Sequence, residues 1–170
     1  MLRFTHSFVV KLSLTAVFTS LVSVLTFLIR IPVPATSGYI NFGDTLIFIS
    51  ALLFGRFVGG VAGGVGSAIA DVVGYPVFAP FTLIIKGLEG FLTGQIKDGK
   101  SLRRDILACI VGGGVMIIGY LIAEAYILML GVPTALVEVP GNFSQVLVGG
   151  LIGIPLVQVV RRKIAFITKS

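Results

Sequence analysis

Residues 39–94 decide the fold, and they read YINFGDTLIFISALLFGRFVGGVAGGVGSAIADVVGYPVFAPFTLIIKGLEGFLTG. Polar or charged groups interrupt the long apolar runs of this stretch at three places, residues 41–44, 67–71 and 86–90. Apolar runs of this kind are typical of membrane-spanning helices. Because ionisable side chains are costly at membrane depth, they usually mark a functional site. The stretch therefore predicts a membrane protein with a polar binding centre.

The composition of the whole chain indicates the same class. Its 170 residues are 56% hydrophobic and 12% charged, with a mean hydropathy of +1.08, which is outside the range of soluble domains. At ~20 apolar residues per crossing, the chain has room for about six spans and little else. We predict one domain over residues 1–170, an all-α compact bundle of six transmembrane helices. The predicted spans are 9–29, 43–56, 58–74, 79–96, 104–130 and 142–160.

The positions of the thirteen Lys and Arg residues predict the orientation of this bundle. Two of them, Arg30 and Lys86, fall on the predicted exterior side or within a span. The other eleven fall on the opposite side, at the N-terminus, the even-numbered connections and the C-terminus. The positive-inside rule makes this side cytoplasmic, so both termini are predicted to be cytoplasmic, in a multi-pass protein of the plasma membrane. The eleven residues are Arg3, Lys11, Arg56, Lys97, Lys100, Arg103, Arg104, Arg161, Arg162, Lys163 and Lys169.

The connection over residues 30–44 is the longest on the predicted exterior side. Pro32, Pro34, Gly38 and Gly43 exclude a continuous helix there, and we expect a loop that folds over the mouth of the bundle. Small residues at positions 55, 59, 63 and 67 form a stripe along the third helix, which predicts close contact between helices. Ala16 and Ser20 form a similar pair on the first helix. This pair fits a contact within the bundle and a contact with a partner subunit equally well.

Residues 94–101, GQIKDGKS, match the phosphate-binding pattern G-x-x-x-x-G-K-[ST]. That loop needs a preceding buried strand and a following helix in a parallel sheet, whereas here it joins two membrane helices. We interpret the match as accidental, and any ATPase must be another polypeptide. The residues also contain no pattern typical of a metal site or a catalytic nucleophile, so we predict neither an enzyme nor a bound cofactor.

The predicted fourth to sixth helices carry a set of intramembrane polar groups. Lys86 and Glu89 are three residues apart and can neutralise each other on one helix face, which also fits a purely structural ion pair. Glu124 then lacks a partner, and a lone charge at that depth must be protonated, paired or bound to a ligand. Asp44, at the start of the second helix, has a possible role as a helix cap. The remaining polar residues of the set are Tyr120, Tyr126, Asn142 and Gln145. A polar small-molecule site at the outer half of the bundle satisfies more of these groups together.

Four parts of the chain resemble the substrate-binding S component of energy-coupling factor (ECF) vitamin transporters. They are residues 38–44 (GYINFGD), residues 63–71 (GGVGSAIAD), residues 74–76 with 79–90 (GYP and APFTLIIKGLEG), and Glu124 with residues 140–145 (PGNFSQ). The resemblance implies a six-helix protein that captures a vitamin or a vitamin precursor from outside. It also implies partners, namely a transmembrane coupling (T) subunit and two ABC-type ATPases, and transport by toppling of the S component in the membrane.

The resemblance further implies which residues bind. In the family, the first exterior loop and the outer parts of helices four to six form the pocket. By position, the substrate-binding residues are Tyr39, Asn41, Lys86, Glu89, Tyr120, Glu124, Asn142 and Gln145. The family's first helix often docks through Ala-x-x-x-Ala, and this chain departs from that pattern with Ala16 and Ser20. The chain looks nearest to the hydroxymethylpyrimidine, pyridoxine and riboflavin group, and its lack of tryptophan argues against a thiamine-type site.

Three functions therefore stand as alternatives. The first is an S component for pyridoxine or hydroxymethylpyrimidine, with riboflavin as the second choice of substrate. The second is an autonomous proton-coupled carrier that uses Glu89 and Glu124 for proton transfer. The third is a structural membrane partner that binds no ligand.

Overall fold

The computed structural model describes residues 8–36 and 38–167, with side chains as far as Lys163. The predicted orientation depends in part on Arg3, Lys169 and the two termini, and these lie outside the described residues. The elements are α1 (Phe8–Leu28), β1 (Arg30–Val33), β2 (Gly38–Asn41), α2 (Gly43–Phe54), α3 (Arg56–Gly74), α4 (Ala79–Ile96), α5 (Leu102–Ile122), a π-helical turn (Ala123–Ile127), α6 (Val132–Leu136) and α7 (Val139–Ile167). The prediction of an all-α bundle is confirmed, since α1 to α5 and α7 are its six long helices.

Four helical segments in the described part of the chain are long and apolar enough to cross a membrane. They are Phe8–Leu28, Arg56–Gly74, Leu102–Ile127 and Val132–Lys163. The two remaining long helices differ for physical reasons. Helix α2 has 12 residues and is ~18 Å long at 1.5 Å per residue, about half of a bilayer core. Helix α4 carries Lys86 and Glu89 in its middle, and both lie on its buried face, where neighbouring helices shield them from lipid.

The end of the bundle that we predict to be exterior is called the outer end below. Its cover is a two-stranded antiparallel hairpin in which Arg30 pairs with Asn41 and Val33 pairs with Gly38. Residues 30–44 were predicted as a loop over the mouth of the bundle, and the structure differs in giving this loop two short strands. A hairpin satisfies its own backbone hydrogen bonds, which a segment over the mouth of a membrane bundle requires. Pro32 is tolerated because it lies on a strand with a free edge.

The glycine stripe of α3 packs within the bundle, as its spacing predicts. A Cβ atom on Gly64 would lie 2.6 Å from the carbonyl oxygen of Leu83 and 3.1 Å from the Cα atom of Gly87 in α4. A Cβ atom on Gly59 would lie 2.8 Å from the carbonyl oxygen of Gly90. Only residues without a side chain allow two helix backbones to approach so closely. Helices α3 and α4 therefore form the most extensive contact of the bundle.

Two predicted boundaries are wrong. The fifth helix was predicted to continue to residue 130, but regular α-helix ends at Ile122 and a π-helical turn follows it. The sixth span was predicted over 142–160, whereas α7 covers Val139–Ile167 and is preceded by the short helix α6. Apolar residues on both sides of these points hide the change in backbone geometry from a hydropathy pattern.

Candidate functional site

A cavity lies at the outer end of the bundle, between the hairpin and the ends of α3, α4, α5 and α7. The space between its lining atoms is about 320 Å³, part of which is open to the outside of the protein. The lining residues are Gly38, Tyr39, Asn41, Asp71, Phe78, Thr82, Lys86, Tyr120, Glu124, Glu138, Asn142 and Gln145. Polar and charged groups dominate this list, which is unusual inside a membrane bundle.

Lys86 forms the base of the cavity and joins two carboxylates. Its ammonium group donates to Asp44 of α2 and lies 3.2 Å from a carboxylate oxygen of Glu89, one turn along α4. All three side chains are buried, because α2, α3 and α5 pack around this face of α4. The predicted pair of Lys86 and Glu89 is therefore present. Asp44 does not cap α2, since its carboxylate pairs with Lys86 and the N–H of Gly43 at the start of the helix bonds the Asn41 side chain instead.

The wall formed by α5 and α7 carries two acidic groups. Glu124 lies in the π-helical turn, a local widening that often marks a functional position. No donor group among the described residues bonds either of its carboxyl oxygens, although the side chain is only 1% exposed, and its near neighbour is the Glu138 carboxyl group. Glu138, just before α7, is buried beside the hairpin and accepts a hydrogen bond from the Thr36 hydroxyl. Two buried carboxyl groups thus face this side of the cavity.

The opposite wall consists mainly of hydroxyl groups and one carboxylate. Tyr39 of β2 donates its hydroxyl to Asp71 at the outer end of α3. The hydroxyl groups of Thr82 and Tyr120 are 2.8 Å apart and join α4 to α5. Burial raises the pKa of Tyr39 well above its usual value, and the nearby Asp71 carboxylate raises it further. Tyr39 is therefore a neutral hydrogen-bond donor at physiological pH.

Three amide side chains close the top of the cavity under the hairpin. The backbone N–H of Asn41 donates to Gln145 at 2.6 Å, and the Gln145 amide donates to Asn142 at 2.9 Å. The Asn41 side chain in turn accepts from the backbone N–H of Gly43 at 2.7 Å. This chain of hydrogen bonds fixes β2 to the first turns of α7 and holds the Asn142 side chain in the cavity lining.

The structure brings seven of the eight sequence-predicted site residues into one lining; the exception is Glu89, which lies beneath Lys86. The sequence predicts Asp71 at the mouth of the bundle without including it among the binding residues, and it assigns no binding role to Thr82 or Glu138. Thr82 had a readable signal, because it is four residues before Lys86 and hence on the same face of α4. The seven residues that line the cavity are Tyr39, Asn41, Lys86, Tyr120, Glu124, Asn142 and Gln145.

Comparisons with known proteins agree on the family. The family model for the S component of ECF-type riboflavin transporters matches residues 7–162 of this chain. The chain belongs to this S component family. The S component family supplies the substrate-binding membrane subunit of a transporter rather than an enzyme, which makes this chain a multi-pass protein of the plasma membrane.

Individual relatives of this S component add detail. A thiamine precursor transporter, HmpT of Lactococcus lactis subsp. cremoris (strain MG1363), is 30% identical over 154 residues, which are 89% of this chain and 88% of HmpT. An uncharacterized protein in the gap 3' region of Pyrococcus woesei is 46% identical over 144 residues, 84% of this chain and 96% of that protein. The solved S component of a bacterial ECF transporter has the same fold, with a TM-score of 0.60 at 18% identity over 94% of this chain and 98% of that one.

Helix α1 of this S component shows which way the predicted docking pair faces. Ala16 and Ser20 are both exposed, whereas Thr15, Val22 and Thr26 form the buried side of the helix. The Ser20 hydroxyl donates to the carbonyl oxygen of Ala16 at 3.0 Å, so it is satisfied without a neighbouring helix. The pair thus makes no tight helix contact within the bundle, and its surface is free for another molecule.

The phosphate-binding pattern of residues 94–101 has a structural explanation in this S component. The Asp98 carboxylate accepts hydrogen bonds from the backbone N–H groups of Ser101 at 2.8 Å and Lys100 at 2.9 Å. These two bonds, that from Ser101 first, hold the pKa of Asp98 below its usual value. The N–H groups that a phosphate would need are therefore already bonded to Asp98 at the start of α5, which supports the interpretation of an accidental match.

Proposed function

We propose that this S component captures hydroxymethylpyrimidine, a small basic heterocycle with an alcohol arm, and delivers it through an ATP-driven ECF complex. The main support for this proposal is the concentration of acidic side chains at the outer end of the bundle. Five of the seven acidic residues of the chain lie there, against two cations of the described part, Lys86 and Arg30. The five are Asp44, Asp71, Glu89, Glu124 and Glu138. Such a site favours a ligand that is rich in hydrogen-bond donors or is cationic.

The two free oxygens of Glu124 support an aminopyrimidine in particular. A carboxyl group forms two parallel hydrogen bonds with an amino group and the adjacent ring nitrogen, whichever partner carries the proton. Glu124 has both oxygens available in the described structure, and Asn142 and Gln145 lie beside it in the lining. The 30% identity to a protein that is named a thiamine precursor transporter points to the same class of ligand.

Pyridoxine is the second candidate for the substrate, since its ring nitrogen and hydroxyl groups also offer several donors. Riboflavin, which the family description names, is less well supported by the cavity. Its fused rings present mainly hydrogen-bond acceptors, which an acid-rich wall does not favour.

Ligand binding to the purified chain tests this proposal directly. Hydroxymethylpyrimidine, pyridoxine, riboflavin and thiamine are added in turn to the detergent-solubilised protein, and thermal unfolding is followed. A ligand at one hundred times its Kd stabilises the folded state by about 2.7 kcal/mol, so a specific binder is easily seen. We expect the largest rise in Tm with hydroxymethylpyrimidine. Stabilisation by riboflavin alone, or by none of the four, contradicts the proposed substrate.

Docking on a T subunit is the second part of the proposal, together with toppling of the whole S component and ATP hydrolysis by two partner ATPases. Its support is the exposed Ala16 and Ser20 face, where small side chains allow a partner helix to approach closely. Ala16→Leu should abolish co-purification with the T subunit and leave ligand binding unchanged. Val17→Leu is the matched control. Val17 lies about 100° around the helix from Ala16, and the change enlarges a side chain that is already bulky.

Uptake by proteoliposomes separates this proposal from an autonomous carrier. The chain alone should bind ligand without accumulating it under a pH gradient, whereas the chain with its T subunit and ATPases should accumulate it when ATP is supplied. Accumulation by the chain alone, lost in Glu124→Gln, would support the proton-coupled alternative instead.

A further inference from the structure

Asp71 is a buried carboxylate in the cavity lining, and its position in the sequence predicts only that it reaches the mouth of the bundle. It lies at the outer end of α3 and is 1% exposed. One oxygen accepts the Tyr39 hydroxyl, but Oδ2 has no hydrogen-bond partner among the described residues. No Lys or Arg in the described part of the chain forms an ion pair with it. A buried carboxylate oxygen without a partner is costly, so a ligand donor at this point has a large effect.

Asp71 and Glu124 differ in what they offer to a ligand. Glu124 has two free oxygens, which suits two parallel donors on the edge of a ring. Asp71 has one free oxygen, because Tyr39 occupies the other, and this suits a single O–H donor. The bonded hydroxyl groups of Thr82 and Tyr120 line the same cavity and offer an alcohol further polar neighbours.

The geometry of strand β2 indicates that Asp71 lies on one wall of the cavity, whereas Glu124 and its neighbour Glu138 lie on another. A Cβ atom on Gly38 would meet the Glu138 carboxylate, which stands on the Glu124 side. The next residue, Tyr39, reaches Asp71 instead. Because adjacent residues of a strand point to opposite faces, Glu138 and Asp71 lie on opposite sides of β2. A ligand in the cavity therefore meets one acidic group at each of two separate edges.

We infer that Asp71 determines specificity by accepting a hydrogen bond from the alcohol arm of the ligand, while Glu124 binds the edge that carries the ring nitrogen and amino group. This inference rests on the proposed function. It assigns a separate task to each of the two acids and predicts which ligand group each acid recognises. The competing explanation is that Asp71 serves only to hold Tyr39 and the hairpin in place.

A pair of ligands and a pair of variants distinguish these explanations. The ligands are hydroxymethylpyrimidine and its analogue with a methyl group in place of the hydroxymethyl arm. The variants are Asp71→Leu, which keeps the branched shape of Asp71 without its oxygens, and Glu124→Gln as the matched control. Kd is measured by calorimetry for each ligand with the wild-type chain and with both variants.

The wild-type chain should bind the alcohol about 10–100-fold more tightly than the methyl analogue, as for one hydrogen bond to a charged group. Asp71→Leu should remove this preference, so that the variant binds the two ligands with equal affinity. Glu124→Gln should weaken both ligands and keep the preference. Such a result supports the separate tasks.

Two results overturn the inference while the proposed function stands. One is equal affinity of the wild-type chain for the two ligands, which needs no variant to be folded. The other is a preference that survives in Asp71→Leu. Failure of the wild-type chain to bind either pyrimidine overturns the proposed substrate as well, so the two failures are distinguishable.

Discussion

The two ends of the bundle treat buried acidic side chains in opposite ways. At the end that we predict to be cytoplasmic, Asp105 of α5 is fully buried and both of its oxygens are bonded. Arg161 donates to them at 2.5 and 3.2 Å, and Gln158 donates at 2.7 Å. Arg161 and Lys97 also bond the last carbonyl groups of α2. Both carboxylate oxygens of Asp105 are thus bonded within the protein, which is typical of a network that stabilises the fold.

At the outer end, six carboxyl oxygens lack a hydrogen-bond partner among the described residues. They belong to Asp44, Asp71, Glu89 and Glu124. The difference teaches how to read a buried charge in this bundle. Complete pairing indicates a role in holding helices together, whereas free hydrogen-bonding capacity beside a cavity indicates a role in binding.

Substitution of Lys86 is the strongest test of this distinction, because Lys86 both holds helices together through its ion pairs and lines the ligand cavity. Lys86→Met leaves Asp44 and Glu89 buried without their cation, and breaking a buried ion pair costs ~3–5 kcal/mol. We expect a large fall in Tm as well as weaker ligand binding. The triple variant Lys86→Met, Asp44→Asn, Glu89→Gln is the matched control, since it removes all three charges together. It should recover most of the lost stability, and if it does not, the ion pairs are not the cause of the loss.

Asp105→Ala should have the second largest effect, and on stability alone. The change leaves donors of Arg161 and Gln158 without an acceptor, which costs about 1–3 kcal/mol for a buried group. The cost is smaller than at Lys86 because Arg161 is partly exposed and keeps its bond to Leu52. Chemical or thermal unfolding measures the loss, and Kd for the ligand should remain that of the wild-type chain. A large change in Kd would show that the two ends are coupled.

Glu124→Gln should have the smallest effect on stability and a clear one on binding. Neither Glu124 oxygen is bonded in the described structure, so the neutral amide loses no protein contact and Tm should stay the same or rise. Replacement of one carboxyl oxygen by an amide NH₂ group opposes a donor of the ligand with another donor, which should weaken ligand binding by about 10–100-fold. Calorimetry and thermal unfolding of the same preparation provide both numbers. A marked loss of stability without loss of affinity would place Glu124 with Asp105 among the structural acids.

The sequence predicts the helices and much of the cavity lining because both depend on local patterns. Apolar runs and glycine spacing identify the spans, and the position of polar residues within these runs identifies Lys86 and Glu124. Asp44 shows the limit of such reasoning. Its position at the start of α2 is equally typical of a cap, and only the packing of α4 against α2 brings it to Lys86.

Glu138 and the hairpin show a different limit. Glu138 lies in a connection rich in proline and glycine, and its approach to the cavity depends on the fold of residues more than 100 positions away, at Thr36. The two strands of the hairpin have only four residues each, and β1 contains a proline. Neither an alternation of apolar and polar residues nor a preference for strand-forming residues can be recognised in them. The π-helical turn at Glu124 likewise has no local composition that separates it from ordinary helix.

The backbone contact between α3 and α4 has a consequence for how this protein tolerates genetic change. Every single-base change that turns a glycine codon into that of another amino acid adds at least a Cβ atom, and at Gly59 and Gly64 such an atom meets main chain that has no rotamer to change. Ala16 is exposed, so a larger side chain there meets no main chain of the bundle and should leave the fold intact. We therefore expect selection to remove substitutions in the contact between α3 and α4 first. Substitutions that alter assembly or substrate range can accumulate elsewhere while the protein remains folded.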